Sequence, residues 1–213
     1  NEPKEYNISC VNSGTDIEDF VNKLVNAKSH AFSCCFYGKP GTGKSELARY
    51  IAKKMGKEDL FKRASDLQSM WVGQCEKNIA DAFKEAKDNN KVLIIDEGDS
   101  FLQNREKAER SWEISQVNEM LSQMESHTQP FFITTNLMRD LDVASLRRFT
   151  FKMEFNYLLP RQINDLFKSY FGKNAPDDLL RNTLIAPGDF ANVKKQCDIL
   201  GITDGKKIAE LIE

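Results

Sequence analysis

Gly38-Lys39-Pro40-Gly41-Thr42-Gly43-Lys44-Ser45 fits the pattern G-x-x-x-x-G-K-[ST], and the fold follows from what stands on either side of it. Ahead of it, Phe32-Ser33-Cys34-Cys35-Phe36-Tyr37 is a short apolar run that reads as a buried strand. Behind it, Leu47, Ala48, Ile51, Ala52 and Met55 recur at helical spacing until Gly56 ends the run. Strand, glycine loop, helix is the context the pattern requires. The glycines let successive backbone N–H groups turn toward an anion, and the helix N-terminus adds a partial positive charge. Lys44 brings a full charge and Ser45 a hydroxyl that can ligate Mg²⁺, so the stretch is a phosphate cradle.

A second strand points to the same site. Val92-Leu93-Ile94-Ile95 is continuously apolar and closes on Asp96-Glu97, as in a strand buried on both faces whose C-terminal end opens into a site. Asp96 can hold Mg²⁺ through water, and Glu97 can orient the water that attacks a terminal phosphate. A third strand, residues 131–135, ends on Asn136, whose amide can bond a phosphate oxygen or that water, or can simply cap a turn. The adjacent pair Arg147-Arg148 precedes strict alternation of Phe149, Phe151, Met153 and Phe155 with polar residues, a further strand. The two arginines are either surface residues or stabilisers of charge on a transferring phosphoryl group, their own or a neighbour's.

Amphipathic helices are expected over residues 16–27, 75–86 and 114–124, and residues 6–11 read as a short strand or a linker. After Tyr157-Leu158-Leu159-Pro160 no strand candidates remain, and four helical segments follow. The expected division is an α/β nucleotide-binding domain, residues 1–156, and a small helical domain, residues 157–213.

Composition narrows the class. The formal net charge is −2 and charged residues make up 29%, values that leave no electrostatic footprint for nucleic acid. The five cysteines form no C-x-x-C pair, and reduced thiols in a cytoplasmic setting are the simplest reading. No signal peptide or membrane-crossing run is evident, and a chain opening on Asn1 without Met reads as part of something longer. His30 and His127 have no partners at metal-ligand spacing and read as loop or surface residues; no transition metal is expected.

The order of these pieces resembles an AAA ATPase module of the AAA+ superfamily over nearly the whole chain. Residues 38–45 resemble Walker A, residues 92–97 Walker B, and residues 131–136 the sensor 1 strand. Leu141-Asp142-Val143-Ala144-Ser145-Leu146-Arg147-Arg148-Phe149 resembles the second region of homology, in the form found in the katanin and spastin group. Trp71-Val72-Gly73 resembles the aromatic-hydrophobic-glycine pore loop, whose Trp is otherwise read as a core residue beside a turn. The charged run over residues 103–110, a solvated loop by default, falls where a second pore loop would lie.

The resemblance implies an α/β fold: a P-loop NTPase three-layer sandwich with a parallel sheet in the order 5-1-4-3-2 and a helical lid. It implies ATP and Mg²⁺ held by Pro40, Gly41, Thr42, Gly43, Lys44, Ser45 and Glu46, with Ser45 and Asp96 on the metal. Gly188, at the sensor 2 position, would let the lid backbone approach the nucleotide. Glu97 and Asn136 would act on the attacking water, and Arg147 and Arg148 would be arginine fingers. With no Arg beside Gly188, both fingers are expected from a neighbouring subunit of a homo-oligomer, a hexameric ring in the family. Trp71, Val72 and Gly73 would grip an extended polypeptide in a central channel, so that ATP hydrolysis remodels a protein substrate. Gly98 after Glu97 and the missing Ile-Gly-Gly signature before residue 32 depart from the family pattern. A helicase loader acting on nucleic acid and an ATP-binding assembly scaffold share the nucleotide site and stand as alternatives.

Overall fold

The computed structural model describes residues 6–71, 73–102, 111–137 and 143–212. Five strands, β1 (Ser33–Gly38), β2 (Asp59–Arg63), β3 (Val92–Asp96), β4 (Phe131–Thr135) and β5 (Phe151–Phe155), form one sheet in the order β2-β3-β4-β1-β5. This is the expected order read from the other edge. The pairs β2–β3, β3–β4 and β4–β1 are parallel, which requires the chain to cross back between strands, and it does so through helices.

Strand position follows from burial. The central strands β1, β3 and β4 are apolar almost throughout because helices cover both faces, whereas β2 and β5 carry exposed or half-buried residues as edge strands do. The helices between them are α1 (Ile17–Val25), α2 (Lys44–Lys54), the single turn α3 (Ala64–Leu67), α4 (Gln74–Asp88), α5 (Ser111–Ser126) and the single turn α6 (Val143–Leu146). On one face, Ile79 and Phe83 of α4 and Val117 and Leu121 of α5 close over Cys35, Leu93, Ile95, Phe131 and Ile133, alternate residues of three strands. On the other, α2 lies across β2, β3 and β4, and Phe36 packs on Phe132 with ring centroids 5.4 Å apart. All five cysteines are free and buried, Cys34 and Cys35 within β1.

A second compact unit comprises the residues up to Ile17, Lys39–Gly43, and everything from Phe155 onward; the first holds Glu18–Gly38 and Lys44–Glu154. Its core is made by α7 (Pro160–Phe171), α8 (Asp177–Leu180), α9 (Pro187–Leu200) and α10 (Gly205–Ile212), with Phe167, Leu179 and Phe190 fully buried. Pro160 and Pro187 open α7 and α9 at the position where a missing N–H costs nothing. The N-terminal segment joins this core. Its Ile8–Cys10 turn is a 3₁₀ helix capped by Asn7 rather than a strand, Cys10 is buried with the α7 and α9 side chains, and Gln162 Nε2 donates to the carbonyls of Ser9 (2.9 Å) and Val11 (3.0 Å).

Two packing details give measurable consequences. Gly98 opens the Gly98–Phe101 3₁₀ turn after β3, and a Cβ there would lie 2.4 Å from Cδ1 of Ile133, which is why glycine stands at this position. Gly98→Ala should lower the unfolding free energy by about 1–3 kcal/mol in urea titrations. Combining it with Ile133→Ala should cost less than the two single changes together, and simple additivity would contradict the contact.

His127 lies half-buried in the loop after α5: its Nε2 is buried without a hydrogen-bond partner among the described residues, and its ring meets Phe83 edge-on at 5.0 Å. Burial, and secondarily Lys87, pushes its pKa from 6.5 down to about 4. The unfolded chain therefore takes up this proton first, and the stability present above pH 6.5 is lost as pH falls toward 4. His127→Phe should make stability fall less steeply over that window; an unchanged slope would contradict the burial.

Candidate functional site

The glycine loop leaves β1 at Gly38 and enters α2 at Lys44, and three of its glycines have positive φ: Gly38 (132°), Gly41 (71°) and Gly43 (90°). Only glycine takes these values without strain, and they turn the backbone N–H groups inward as an anion cradle needs. Lys44 is 6% exposed, and its side chain folds back across the loop to donate to the Gly38 carbonyl at 2.9 Å. It also donates to Asn136 Oδ1 at 2.9 Å, joining the loop to the end of β4. An ammonium has no acceptor, so this contact fixes the amide with its oxygen toward Lys44. Burial pushes the Lys44 pKa down to about 8, against the opposing pull of Asp96 and then Asp99. A cation held this deeply is a fitting counter-charge for phosphate.

Ser45 Oγ donates to Asp96 Oδ1, and Thr134 Oγ1 donates to the same oxygen. Hydroxyl and carboxylate oxygens in contact are the donor set for a hard cation, and Mg²⁺ completes its shell with water and phosphate oxygens rather than with a protein cage. The residues present therefore fit nucleotide and Mg²⁺ together. Glu97, at the exit of β3, is exposed and adopts φ 55°, ψ 41°, a left-handed conformation that costs a residue with a Cβ about 1–2 kcal/mol. Its N–H donates to Thr134 Oγ1 at 3.2 Å, which helps to hold it there.

Sequence reasoning missed Thr134 and Asp99. Asp99 Oδ1 accepts from Thr135 Oγ1 and, at 3.1 Å, from the Asn136 N–H, so it anchors the residue that meets Lys44. The signal was there: two hydroxyls in a fully buried apolar strand, opposite Phe36 and Tyr37 of β1, and a third acid after Asp96-Glu97. Tyr6 carried no such signal. Its hydroxyl donates to the Gly43 carbonyl at 3.3 Å, across 37 positions of sequence.

Within the helical unit, the Gly188 N–H donates to the Gly41 carbonyl at 2.9 Å, and a Cβ at Gly188 would lie 3.2 Å from that oxygen. Glycine there serves close approach to the loop backbone itself. Thr42 is buried, with its hydroxyl on the Lys39 carbonyl at 2.7 Å, while Pro40 and Gly41 are exposed. Glu46 is exposed on α2, its carboxylate paired with Arg49 at 3.1 Å.

Arg147 and Arg148 stand apart from these residues. Phe149 stacks on Phe131 at the start of β4, and Thr150 exchanges hydrogen bonds with Ser33 at the start of β1 (3.3 and 3.2 Å). The pair thus lies at the N-terminal end of the strands, and the loop leaves from the C-terminal end, ~17 Å away for a strand of this length. Both arginines are exposed; Arg148 pairs with Glu125 at 3.1 Å, and Arg147 has no ion-pair partner among the described residues. Trp71 is 78% exposed in the loop before α4, which removes the core-Trp alternative, and Gly73 has φ 76°. Val72, the run over residues 103–110, and Leu141 and Asp142 lie outside the described residues.

The chain is 30% identical over 183 residues to vacuolar protein sorting-associated protein 4 of Dictyostelium discoideum, covering 83% of this chain and 39% of that protein. It is 33% identical over 176 residues to the uncharacterized protein ORF529 of Acidianus two-tailed virus, 76% of this chain and 33% of the relative. It is 31% identical over 158 residues to the mitochondrial inner membrane i-AAA protease supercomplex subunit YME1 of Saccharomyces cerevisiae, 71% of this chain and 21% of the relative. The chain thus spans well under half the length of these curated relatives. The model of the "ATPase family associated with various cellular activities (AAA)" matches residues 34–157, more than half of the 213. The chain belongs to the AAA family of ATPases.

Proposed function

We propose that the chain hydrolyses ATP at a site divided between two copies of itself and applies the resulting movement to a polypeptide. The observation that carries this reading is the separation of Arg147 and Arg148 from the phosphate loop by the length of the sheet. No arginine side chain spans that distance, so a role for the pair in phosphoryl transfer places it at the loop of an adjacent copy. Arg148 is held to Glu125 by an exposed ion pair worth about 0–1 kcal/mol, too little to keep it from another partner.

The nucleotide's phosphates would be held by the N–H groups of Gly41, Thr42 and Gly43 and by Lys44. Ser45 and Asp96 would hold Mg²⁺, which would supply charge neutralisation on the phosphate oxygens. Asn136, with Oδ1 committed to Lys44, presents Nδ2 as the donor for a phosphate oxygen or for the water. Glu97, exposed beside it on its left-handed turn, orients the water and accepts its proton at the carboxylate. The terminal phosphate leaves ADP as the water oxygen bonds to it. An arginine finger contributes ~10³ to 10⁵ in rate in reactions of this class, so an isolated copy is slow.

Support for a polypeptide load comes from the exposed Trp71 ahead of α4 and from the charge of −2, which offers nothing to a nucleic acid backbone. The relatives named above include a protease supercomplex subunit. Among the described residues no helix is long and apolar enough to cross a membrane. We place the assembly as a ring, six-membered by family analogy, acting in the cytoplasm.

Mixing tests the divided site. Glu97→Gln and Arg147→Ala should each abolish most phosphate release alone. Mixed, they should regain activity where an intact Glu97 in one copy meets an intact Arg147 in the next. Co-assembled variants that stay inactive would contradict it, and undiminished release by Glu97→Gln alone would remove Glu97 as the base.

A further inference from the structure

Thr134 is a polar residue in a place suited to an apolar one. It lies in β4, between β3 and β1, and is 2% exposed. Phe36 stands opposite it on β1, and Ile133 precedes it. Valine has the same shape, suits a buried strand and carries no polar atom that needs a partner. The hydroxyl therefore has a reason other than packing, and its geometry supplies one: a single oxygen meets both acids at the end of β3. It donates to Asp96 Oδ1, and it accepts from the Glu97 N–H at 3.2 Å. The directions are fixed, because a carboxylate only accepts and a main-chain N–H only donates.

The next residue does something different. Thr135 Oγ1 donates to Asp99 Oδ1 and accepts from the Leu137 N–H at 3.0 Å, so it ties the end of β4 to the acid that anchors Asn136. Thr134 alone bridges Asp96 and Glu97. Glu97 needs that hold, since its left-handed conformation is one that a residue with a Cβ leaves when released. The net worth of one hydrogen bond is of the same size as that strain, so this contact is enough to decide the conformation. Donation to the Asp96 carboxylate also polarises the hydroxyl and makes its oxygen a stronger acceptor for the Glu97 N–H.

Resting on the reading of Glu97 as the group that orients the water and takes its proton, we propose that Thr134 is a positioning residue for hydrolysis: its one hydroxyl, held by the Asp96 carboxylate, keeps Glu97 in the left-handed turn from which its side chain reaches the water. Ser45 Oγ donates to the same Asp96 oxygen, so Asp96 keeps a hydroxyl partner when that of Thr134 is removed. Loss of the Thr134 hydroxyl therefore slows the chemical step and leaves nucleotide affinity in place.

Two substitutions separate the hydroxyl from the shape. Thr134→Val removes the hydroxyl and keeps the shape; Thr134→Ser keeps the hydroxyl. With saturating Mg²⁺, at a protein concentration where the rate per copy has levelled off, Thr134→Val should lower kcat about tenfold and leave KM for ATP within about twofold. Thr134→Ser should keep kcat within about threefold. In the nucleotide-free protein, exchange of the Glu97 amide proton, followed by NMR, should be about tenfold faster in Thr134→Val and unchanged in Thr134→Ser. Exchange at Asn136, whose N–H is held by Asp99, should stay the same in both. In single turnovers, adding Thr134→Val to Glu97→Gln should slow the residual release by less than about twofold, since both changes act through one group. The proposal is overturned if Thr134→Val keeps full kcat while Glu97→Gln loses it, or if Thr134→Ser is as slow as Thr134→Val. It is overturned equally if Glu97 exchange does not change, if Asn136 exchange rises with it, or if Thr134→Val slows the Glu97→Gln protein about tenfold. Undiminished release by Glu97→Gln would instead remove the reading of Glu97 as the base, and this proposal with it.

Discussion

A buried ammonium group holds the nucleotide end of the sheet together. Lys44 Nζ sits between the Gly38 carbonyl and the Asn136 amide, so one side chain at the start of α2 reaches the end of β1 and the end of β4. Burying a charge is costly unless hydrogen bonds surround it, and here that cost is visible as a pKa pushed down to about 8. Gly41 and Gly43 give the intervening loop its positive-φ turns. Asp99 serves the Lys44 contact at one remove, by anchoring the Asn136 N–H.

From that point the site divides by sheet direction. Parallel strands bring their C-terminal ends to one edge, and the loop, Asp96, Glu97 and Asn136 all lie there because each ends or follows a strand. Arg147 and Arg148 precede a strand, so the same geometry sends them to the other edge. A single copy therefore holds Lys44, Asp96, Glu97 and Asn136 at one end of the strands and Arg147 and Arg148 at the other.

Much of this was legible in the sequence. The strands over residues 92–96 and 131–135 could be read because burial on both faces favours consecutive apolar residues, here 92–95 and 131–133, and the helices because one buried face imposes its period. What could not be read depends on contacts distant in sequence. The segment at residues 8–10 is a 3₁₀ turn capped by Asn7, and Gln162 of α7 donates to the carbonyls of Ser9 and Val11. Gly98 departs from the family pattern because Ile133, on another strand, fills the space of its Cβ. The edge to which Arg147 and Arg148 belong emerges only from the pairing of Thr150 with Ser33. His127, read as a loop or surface residue, does lie in the loop after α5, with its ring against Phe83.

The most direct test of a site divided between copies is the rate of phosphate release per copy, measured as the concentration of the chain is raised at saturating ATP and Mg²⁺. A divided site predicts a rate per copy that climbs steeply with concentration and levels off as assembly completes, in parallel with sedimentation. A rate per copy that stays constant from dilute monomer to assembled protein would contradict it.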